Sequence, residues 1–379
     1  MSLSAIRDSS ELASFRVNFR QFLKDQVVPA HSAVFRSDGF PREVWRAAGA
    51  AGFLGLDVPR ELGGRGIDDY RYSAVVAQEI VAAGLNGFAI TLQNDIVIPY
   101  ISAIANHEQR KRWLPALCAG ESVSAIAMTE PEAGSDLARL SLTACKVNGG
   151  YRLNGEKFFI SNGLTQNFLL LVARTAEGPM GLSLFIVEDA ANAVGRTPVT
   201  KLGLRAQDTA RLAFDDHFVP DGALLGSPGR AAGYLMRMLP KERLAIAVRA
   251  DAGTRKSLML TQDHVRTRQV RGSTLGSLQG IRFALADMMA ELQANEALTA
   301  LAVDRLNQGR LSEADAAAAK LRSSETFRAV TDRCLHLFGA HGYLAQSEIS
   351  ELFLDARGIT LQGGSSEIMR EIIASAARL

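Results

Sequence analysis

The hydrophobic period changes twice along the chain, and this constrains the fold more than any other feature of the sequence. From residue 10 to about residue 120 the apolar positions recur at three- and four-residue intervals, as in Phe15, Phe19, Phe22 and Leu23, which is the spacing of a helix face. Gly39-Phe40-Pro41, the stretch 59–66 and Pro99 cut this region into several helices joined by turns. Between about residues 122 and 226 the pattern becomes short β-type runs bounded by turn residues. Asn148-Gly149-Gly150 and Asn154-Gly155 read as hairpin turns between runs at 140–147, 151–153 and 157–160, and further runs follow at 168–174, 182–187 and 210–214. Beyond residue 231 helix periodicity returns over 234–268, 278–307 and 312–338, with Ser312 and Asp315 placed as a capping box.

Helices, then a sheet, then longer helices predict an α+β protein with a helical domain at 1–121, a mainly antiparallel β-domain at 122–226 and a helical domain at 227–379. A chain of 379 residues exceeds what one hydrophobic core supports, which agrees with several packed units. Lys+Arg total 42 against Asp+Glu 40, so the basic excess of a nucleic-acid binder is missing, and 47% hydrophobic residues exclude a disordered chain. Cys118, Cys145 and Cys334 are far apart and suggest a reducing compartment with neither a disulfide framework nor a zinc site. Asp8 and Glu11 interrupt any presequence-like basic character, and the longest apolar runs fall far short of the roughly 20 residues of a membrane span. The expectation is a soluble, cytoplasmic protein with no nucleic-acid or membrane partner.

The stretch 126–136 reads IAMTEPEAGSD, placing hydroxyls, a proline and a glycine where helical sequence gives way to sheet. It reads equally well as a ligand-contacting loop or as a tight turn between domains. NGEKFFISNG at 154–163 sets Phe158 and Phe159 beside Ser161, and strand alternation lets one aromatic enter the core while the other covers a flat ligand. Taken alone, an FF pair is more commonly two core aromatics. The remaining histidines, His31, His107, His217, His264 and His341, show no metal-ligand spacing, and no Gly-rich dinucleotide fingerprint follows a strand, so neither a metal nor nicotinamide is implied.

In this order and spacing the two segments resemble the flavin-contacting signatures of the acyl-CoA dehydrogenase family. KLGLRAQDTARLAFDDHFVP at 201–220 and DARGITLQGGSSEIMREII at 355–373 extend the resemblance across nearly the whole chain. It is closest to the long-chain acyl-CoA dehydrogenase branch, echoed in MTEPEAGSD, FFISNG, YLMRMLPKERLAIA and GGSSEIM. It implies that family's fold, with a C-terminal four-helix bundle, and FAD as cofactor. Matching positions imply FAD contacts at Ile126, Met128, Thr129, Gly134, Ser135, Phe159, Ile160, Ser161, Arg268, Gln279, His336, Gly339, Ala340, Ser365, Ser366 and Glu367. Substrate contacts are implied at Ser135, Arg243, Gly363 and Gly364. Arg268 and Gln279 match positions that reach a neighbouring subunit's FAD in relatives, so a homotetramer arranged as a dimer of dimers is expected.

In many relatives the catalytic glutamate lies where this chain has Gly363; the long-chain and isovaleryl branches carry it on a helix, at the position of Glu242. Helix spacing independently puts Glu242 among Met238, Leu239, Ala245 and Ile246, a setting that raises a carboxyl pKa. The residue pattern alone fits a salt bridge to a neighbouring base equally well. The sequence departs from the family at Arg271, at His336-Leu337-Phe338-Gly339-Ala340 and at Gln362, which touches the expected cofactor and thioester ends. The implied activity is FAD-dependent α,β-dehydrogenation of an acyl-CoA to a trans-2-enoyl thioester, with electron-transfer flavoprotein as acceptor. The same chemistry on an acyl-carrier-protein substrate, a flavin monooxygenase or oxidase on this fold, and a non-enzymatic subunit are the competing readings.

Overall fold

The computed structural model describes residues 9–34, 39–178, 181–188 and 194–379, so the start of the sequence, including Asp8, lies outside the described residues. Helix α1 (Ser10–Phe22) begins where the Ser9 hydroxyl accepts from Leu12 N at 3.3 Å, and it buries Leu12, Phe15, Phe19 and Phe22. It passes through a π-type turn at Leu23–Val27 into α2 (Val28–Val34). Helices α3 (Arg42–Ala50), α4 (Arg71–Ala82), α5 (Ile98–Ile104) and α6 (His107–Cys118) complete the N-terminal unit. The ring of Phe53 meets those of Phe15, Phe19 and Phe22 at centroid distances of 5.5, 4.9 and 5.1 Å, an aromatic core for this unit.

Pro99 does not separate two helices, contrary to its reading as a break. A π-type turn at Leu92–Val97 runs directly into α5, with Pro99 at the start of the α-helical part rather than at a break. That turn aims Gln93, Asn94 and Asp95 into the protein interior.

The middle unit is an eight-stranded sheet of β1 (Ser124–Ala127), β2 (Thr143–Val147), β3 (Gly150–Ser161), β4 (Phe168–Arg174), β5 (Leu182–Glu188), β6 (Gly195–Pro198), β7 (Thr209–Pro220) and β8 (Leu224–Leu225). Its order is β6-β7-β3-β2-β4-β5-β8, with β1 beside β4. Most pairs are antiparallel, but β1 and β2 both run parallel to β4. β4 is apolar from Phe168 to Ala173 because both faces are covered: Phe168, Leu170 and Val172 pack with Trp113 and Tyr100 of the helical unit, while Leu169, Leu171 and Ala173 face the sheet's own core. Asn154-Gly155 is not a hairpin turn. The register against β7 shifts between Leu153 and Gly155, so these residues form a bulge inside one long strand. Gly155 has φ +129°, and a Cβ there would come within 2.9 Å of Leu142 Cα.

The C-terminal unit is built on the long helices α7 (Ala231–Thr267), α8 (Gln279–Asn307) and α9 (Glu313–Phe338), with α10 (Glu348–Ile359) and α11 (Ser366–Ala376) packed against them. The capping box at the start of α9 forms as read: Ser312 Oγ accepts from Asp315 N, and Asp315 Oδ2 accepts from Ser312 N, both at 3.1 Å. No helix among the described residues is long and apolar enough to cross a membrane.

Candidate active site

Glu242 lies on α7 and is 7% exposed. Its Oε2 is buried with no hydrogen-bond partner, and among the described residues its carboxylate forms no ion pair. Neither adjacent base is available to it. Lys241 pairs with Asp57 at 3.0 Å, while Arg243 Nη1 pairs with Glu313 at 2.9 Å and Arg243 Nε donates to the Gly363 carbonyl at 3.3 Å. The salt-bridge reading of Glu242 therefore finds no partner. Burial pushes its pKa up to about 7, against the opposing pull of Arg243. Tyr100 of α5 is buried close by with its hydroxyl unpartnered, and burial together with the Glu242 charge holds that hydroxyl well above its ordinary value.

The loop at 360–365 between α10 and α11 lies over this stretch of α7. Gly363 and Gly364 have φ +63° and +101°, and a Cβ on Gly363 would come within 2.5 Å of Ile246 Cδ1, so side chains are excluded by both conformation and space. A second cation, which the sequence reading does not single out, holds the loop from beneath. Lys320 of α9 is 0% exposed, and its Nζ donates to the carbonyls of Thr360 at 2.9 Å and Gly364 at 2.7 Å. Burial drops its pKa to about 8. The signal for it is a lysine on a helix face otherwise made of Ala316, Ala317, Ala319, Ser323 and Ser324.

The two segments at 126–136 and 154–163 are brought side by side. Phe158 N donates to the Thr129 carbonyl at 2.8 Å, and Lys157 Nζ donates to the Met128 carbonyl at 2.8 Å. The same Nζ meets Glu130 Oε1 at 2.8 Å, both side chains buried, and Glu130 also accepts from Ser141 N and Leu142 N. This pair staples the segments together, and the sequence reading misses it too. Neither aromatic enters the core, although strand alternation sends one of them inward. A register shift between Lys157 and Ile160 turns Phe159 outward, 51% exposed with φ +59°, while Phe158 is half-buried against it in a T-shaped contact. A bulky residue at positive φ is strained, and such strain collects where a ligand is held. Ile160 is buried in the sheet core, which leaves its main chain as its means of contact.

Met128 and Ile126 pack in the same cluster as Tyr100, Met238 and Leu239, so the first segment and the Glu242 turn of α7 meet at one apolar cluster, the candidate cleft. Gly134 opens on free space beside the exposed Ser135: a Cβ added to it would meet nothing within 4 Å. The C-terminal signature divides. Ser365 caps α11 by accepting from Ile368 N, Ser366 Oγ donates to Glu325 at 2.6 Å, and Glu367 is exposed at the helix start. Arg268, Gln279, His336, Gly339 and Ala340 are exposed at the far end of the bundle; Arg268 lies about 40 Å along α7 from Glu242. They cannot serve the cleft of their own chain.

Comparison with known proteins identifies this arrangement. Family models described as the N-terminal, middle and C-terminal domains of acyl-CoA dehydrogenase match residues 9–121, 125–217 and 231–377. The chain belongs to the acyl-CoA dehydrogenase family. It is similar to the mitochondrial long-chain specific acyl-CoA dehydrogenase of Sus scrofa, 37% identical over 97% of this chain and 86% of that one. It is also similar to the mitochondrial isovaleryl-CoA dehydrogenase of Solanum tuberosum, 31% identical over 98% of this chain and 91% of the other. The crystal structure of acyl-CoA dehydrogenase from Geobacillus kaustophilus superposes with a TM-score of 0.95 at 34% identity, covering 98% of this chain and 99% of that one. The protein has the acyl-CoA dehydrogenase fold and is an oxidoreductase of that family.

Proposed function

We propose that this enzyme dehydrogenates a saturated acyl-CoA to its trans-2-enoyl thioester with Glu242 as the base. The carrying observation is a carboxylate buried without hydrogen-bond or ionic partner, facing a glycine loop whose position two buried cations hold. Removing the proton next to a thioester carbonyl requires a base whose affinity for protons is raised and a donor for the carbonyl oxygen as charge develops. Glu242, with a pKa of about 7, meets the first need. The second falls to the Gly363 N–H, which has no partner among the described residues. Arg243, by donating to the carbonyl of the same glycine, fixes the turn that leaves this N–H free for the substrate.

The cleft suits FAD on the evidence of Phe159, whose exposed ring on a strained backbone offers a flat platform, and of Gly134, which leaves room for close approach. Met128, Thr129, Gly134, Ser135, Phe159 and Ser161 would hold it, with the main chain of Ile160. Bound there, FAD supplies the acceptor for the β-hydride. Ser135, Gly364 and Arg243 border the thioester end, and electron-transfer flavoprotein is the proposed electron acceptor. A homotetramer built as a dimer of dimers belongs to the same reading, with Arg268 and Gln279 serving a neighbour's FAD. The test is anaerobic titration of the purified yellow protein with acyl-CoAs, following the flavin absorbance. Bleaching by a saturated acyl-CoA with release of the enoyl product is expected, and a protein that neither carries nor takes up FAD would end this reading.

A further inference from the structure

The two oxygens of the Glu242 carboxylate are placed differently. Oε2 is sealed inside the protein without a hydrogen-bond partner, whereas Oε1, which accepts from no described residue either, keeps accessible surface. A proton from a substrate can therefore reach Oε1, while Oε2 has to find any partner among the protein's own groups. An ionised oxygen buried without a donor is unfavourable, and such an atom calls for a specific explanation.

The charged and titratable groups packed around it are occupied elsewhere. On α7, Arg243 is turned to Glu313 and to the Gly363 carbonyl, and Lys241 to Asp57. On α9, Lys320 serves the carbonyls of Thr360 and Gly364. On α4 and the turn before α5, Tyr70 and Asp95 lie within each other's influence, and the strongest opposite charge on Asp95 is Lys241. Tyr100 remains. It stands in the first turn of α5, which packs on α7, and its ring belongs to the cluster of Met238 and Leu239, about one turn of α7 before Glu242. It is 1% exposed, and its hydroxyl, like Oε2, is sealed and unpartnered. After burial itself, the largest influence on that hydroxyl is the charge of Glu242.

We infer that Tyr100 is the positioning residue of the base: its hydroxyl donates to Glu242 Oε2 and leaves Oε1 to take the substrate's proton. This rests on the proposed dehydrogenase reading and deepens it by dividing the carboxylate into an anchored and a reacting oxygen. The two groups stand apart in the resting arrangement, and rotation about the flexible Glu242 side chain closes the gap once the carboxylate is ionised; hydrogen bonds at active sites commonly tighten in this way. A hydroxyl donates more strongly to an ionised oxygen than to a neutral carboxyl, so Tyr100 opposes the effect of burial and makes the base less proton-hungry than its apolar setting alone would.

The test is Tyr100→Phe in the holoenzyme, which keeps the ring and its packing and removes only the hydroxyl. Flavin reduction at saturating acyl-CoA is followed by anaerobic stopped flow across pH. The midpoint of the profile should rise by roughly one unit, so that the rate near pH 6 falls about 10-fold while the difference closes above about pH 9. Infrared difference spectra supply a readout independent of turnover: the protonated-carboxyl stretch that Glu242→Gln abolishes should titrate with the same upward shift. Fluorotyrosine at position 100, a stronger donor than tyrosine, should move both midpoints the other way. Midpoints unchanged or lowered by Tyr100→Phe overturn the inference, and so does a loss of rate that is equal at every pH, which is the mark of a packing role. If no saturated thioester bleaches the flavin, the dehydrogenase reading fails, while the infrared titration still decides whether Tyr100 and Glu242 are joined.

Discussion

At the scale of single residues, the chemistry of Glu242 is bound to an energetic penalty. Its carboxyl ionises near pH 7 when folded and near 4.5 when exposed, so the unfolded chain sheds this proton first as pH rises. Stability contributed by the protonated form is therefore present below about 4.5 and lost progressively up to about 7, a cost on the order of 3 kcal/mol above that range. Glu242→Gln removes the charge without changing shape. It should lower the rate of flavin reduction by roughly 10²–10⁴-fold while raising Tm at pH 8, and kcat/KM of the wild type should climb with pH through about 7. An unchanged reduction rate in stopped flow would remove Glu242 from the mechanism; Glu367→Gln, at an exposed position, is the control. Lys157→Met tests a buried ion pair instead. It strands Glu130 without its cation and should cost about 3–5 kcal/mol, most of it recovered in the double variant Glu130→Met/Lys157→Met, as denaturant titration would show. The apolar setting of Glu242 is legible in the sequence from helix spacing, whereas its reading as a base rather than a salt-bridge partner comes from the family resemblance. Glu130 and Lys157 are not legible in this way, since they lie in different segments and only the fold makes them a pair.

At the scale of elements, the loop after α10 owes its shape to the helices beneath it rather than to its own sequence. Gly363 and Gly364 permit the turn, but Arg243 on α7 and Lys320 on α9 choose it, by donating to the carbonyls of Gly363, Gly364 and Thr360. Lys320→Met keeps the volume and removes both of its hydrogen bonds, leaving those carbonyls unpaired at a cost of about 2–4 kcal/mol. If the loop presents the Gly363 N–H to the substrate, kcat should fall along with stability, whereas a Tm loss with kcat intact would reduce Lys320 to a packing role. Periodicity makes the long helices of the C-terminal unit and the apolar strand β4 readable almost to their ends. It fails where neighbours overrule local signals. Pro99 reads as a break until a π-type turn absorbs it, and Asn154-Gly155 reads as a hairpin until β7 pairs on both sides of it and leaves only a bulge. The outward turn of Phe159 depends on a second register shift in that pairing, which no pattern within β3 reveals.

At the scale of the whole molecule, the positions matched to FAD fall into two groups that one chain cannot unite. Met128 packs in the apolar cluster that holds Met238 and Leu239 just before Glu242, with Thr129 tied to Phe158 beside it, whereas Arg268 lies about 40 Å along α7 with Gln279 and His336 exposed near it. Around that far end Leu278 and Phe283 are also exposed, an apolar surface of the kind a neighbouring subunit covers. The proposed homotetramer, in which each bundle end completes a neighbour's site, reconciles these facts and makes a prediction that a monomer does not. Glu242→Gln chains lack the base but keep Arg268; Arg268→Ala chains keep the base but should bind FAD weakly, so each homotetramer alone should be nearly inactive. In a mixed assembly, a Glu242-bearing cleft whose neighbour supplies Arg268 is complete, while the reciprocal cleft is doubly defective. Co-expression or exchange of the two variants should therefore restore turnover toward half the wild-type value per FAD-binding site in each mixed pair. If Arg268 served its own chain, every cleft in the mixture would still carry one defect, and no activity would return.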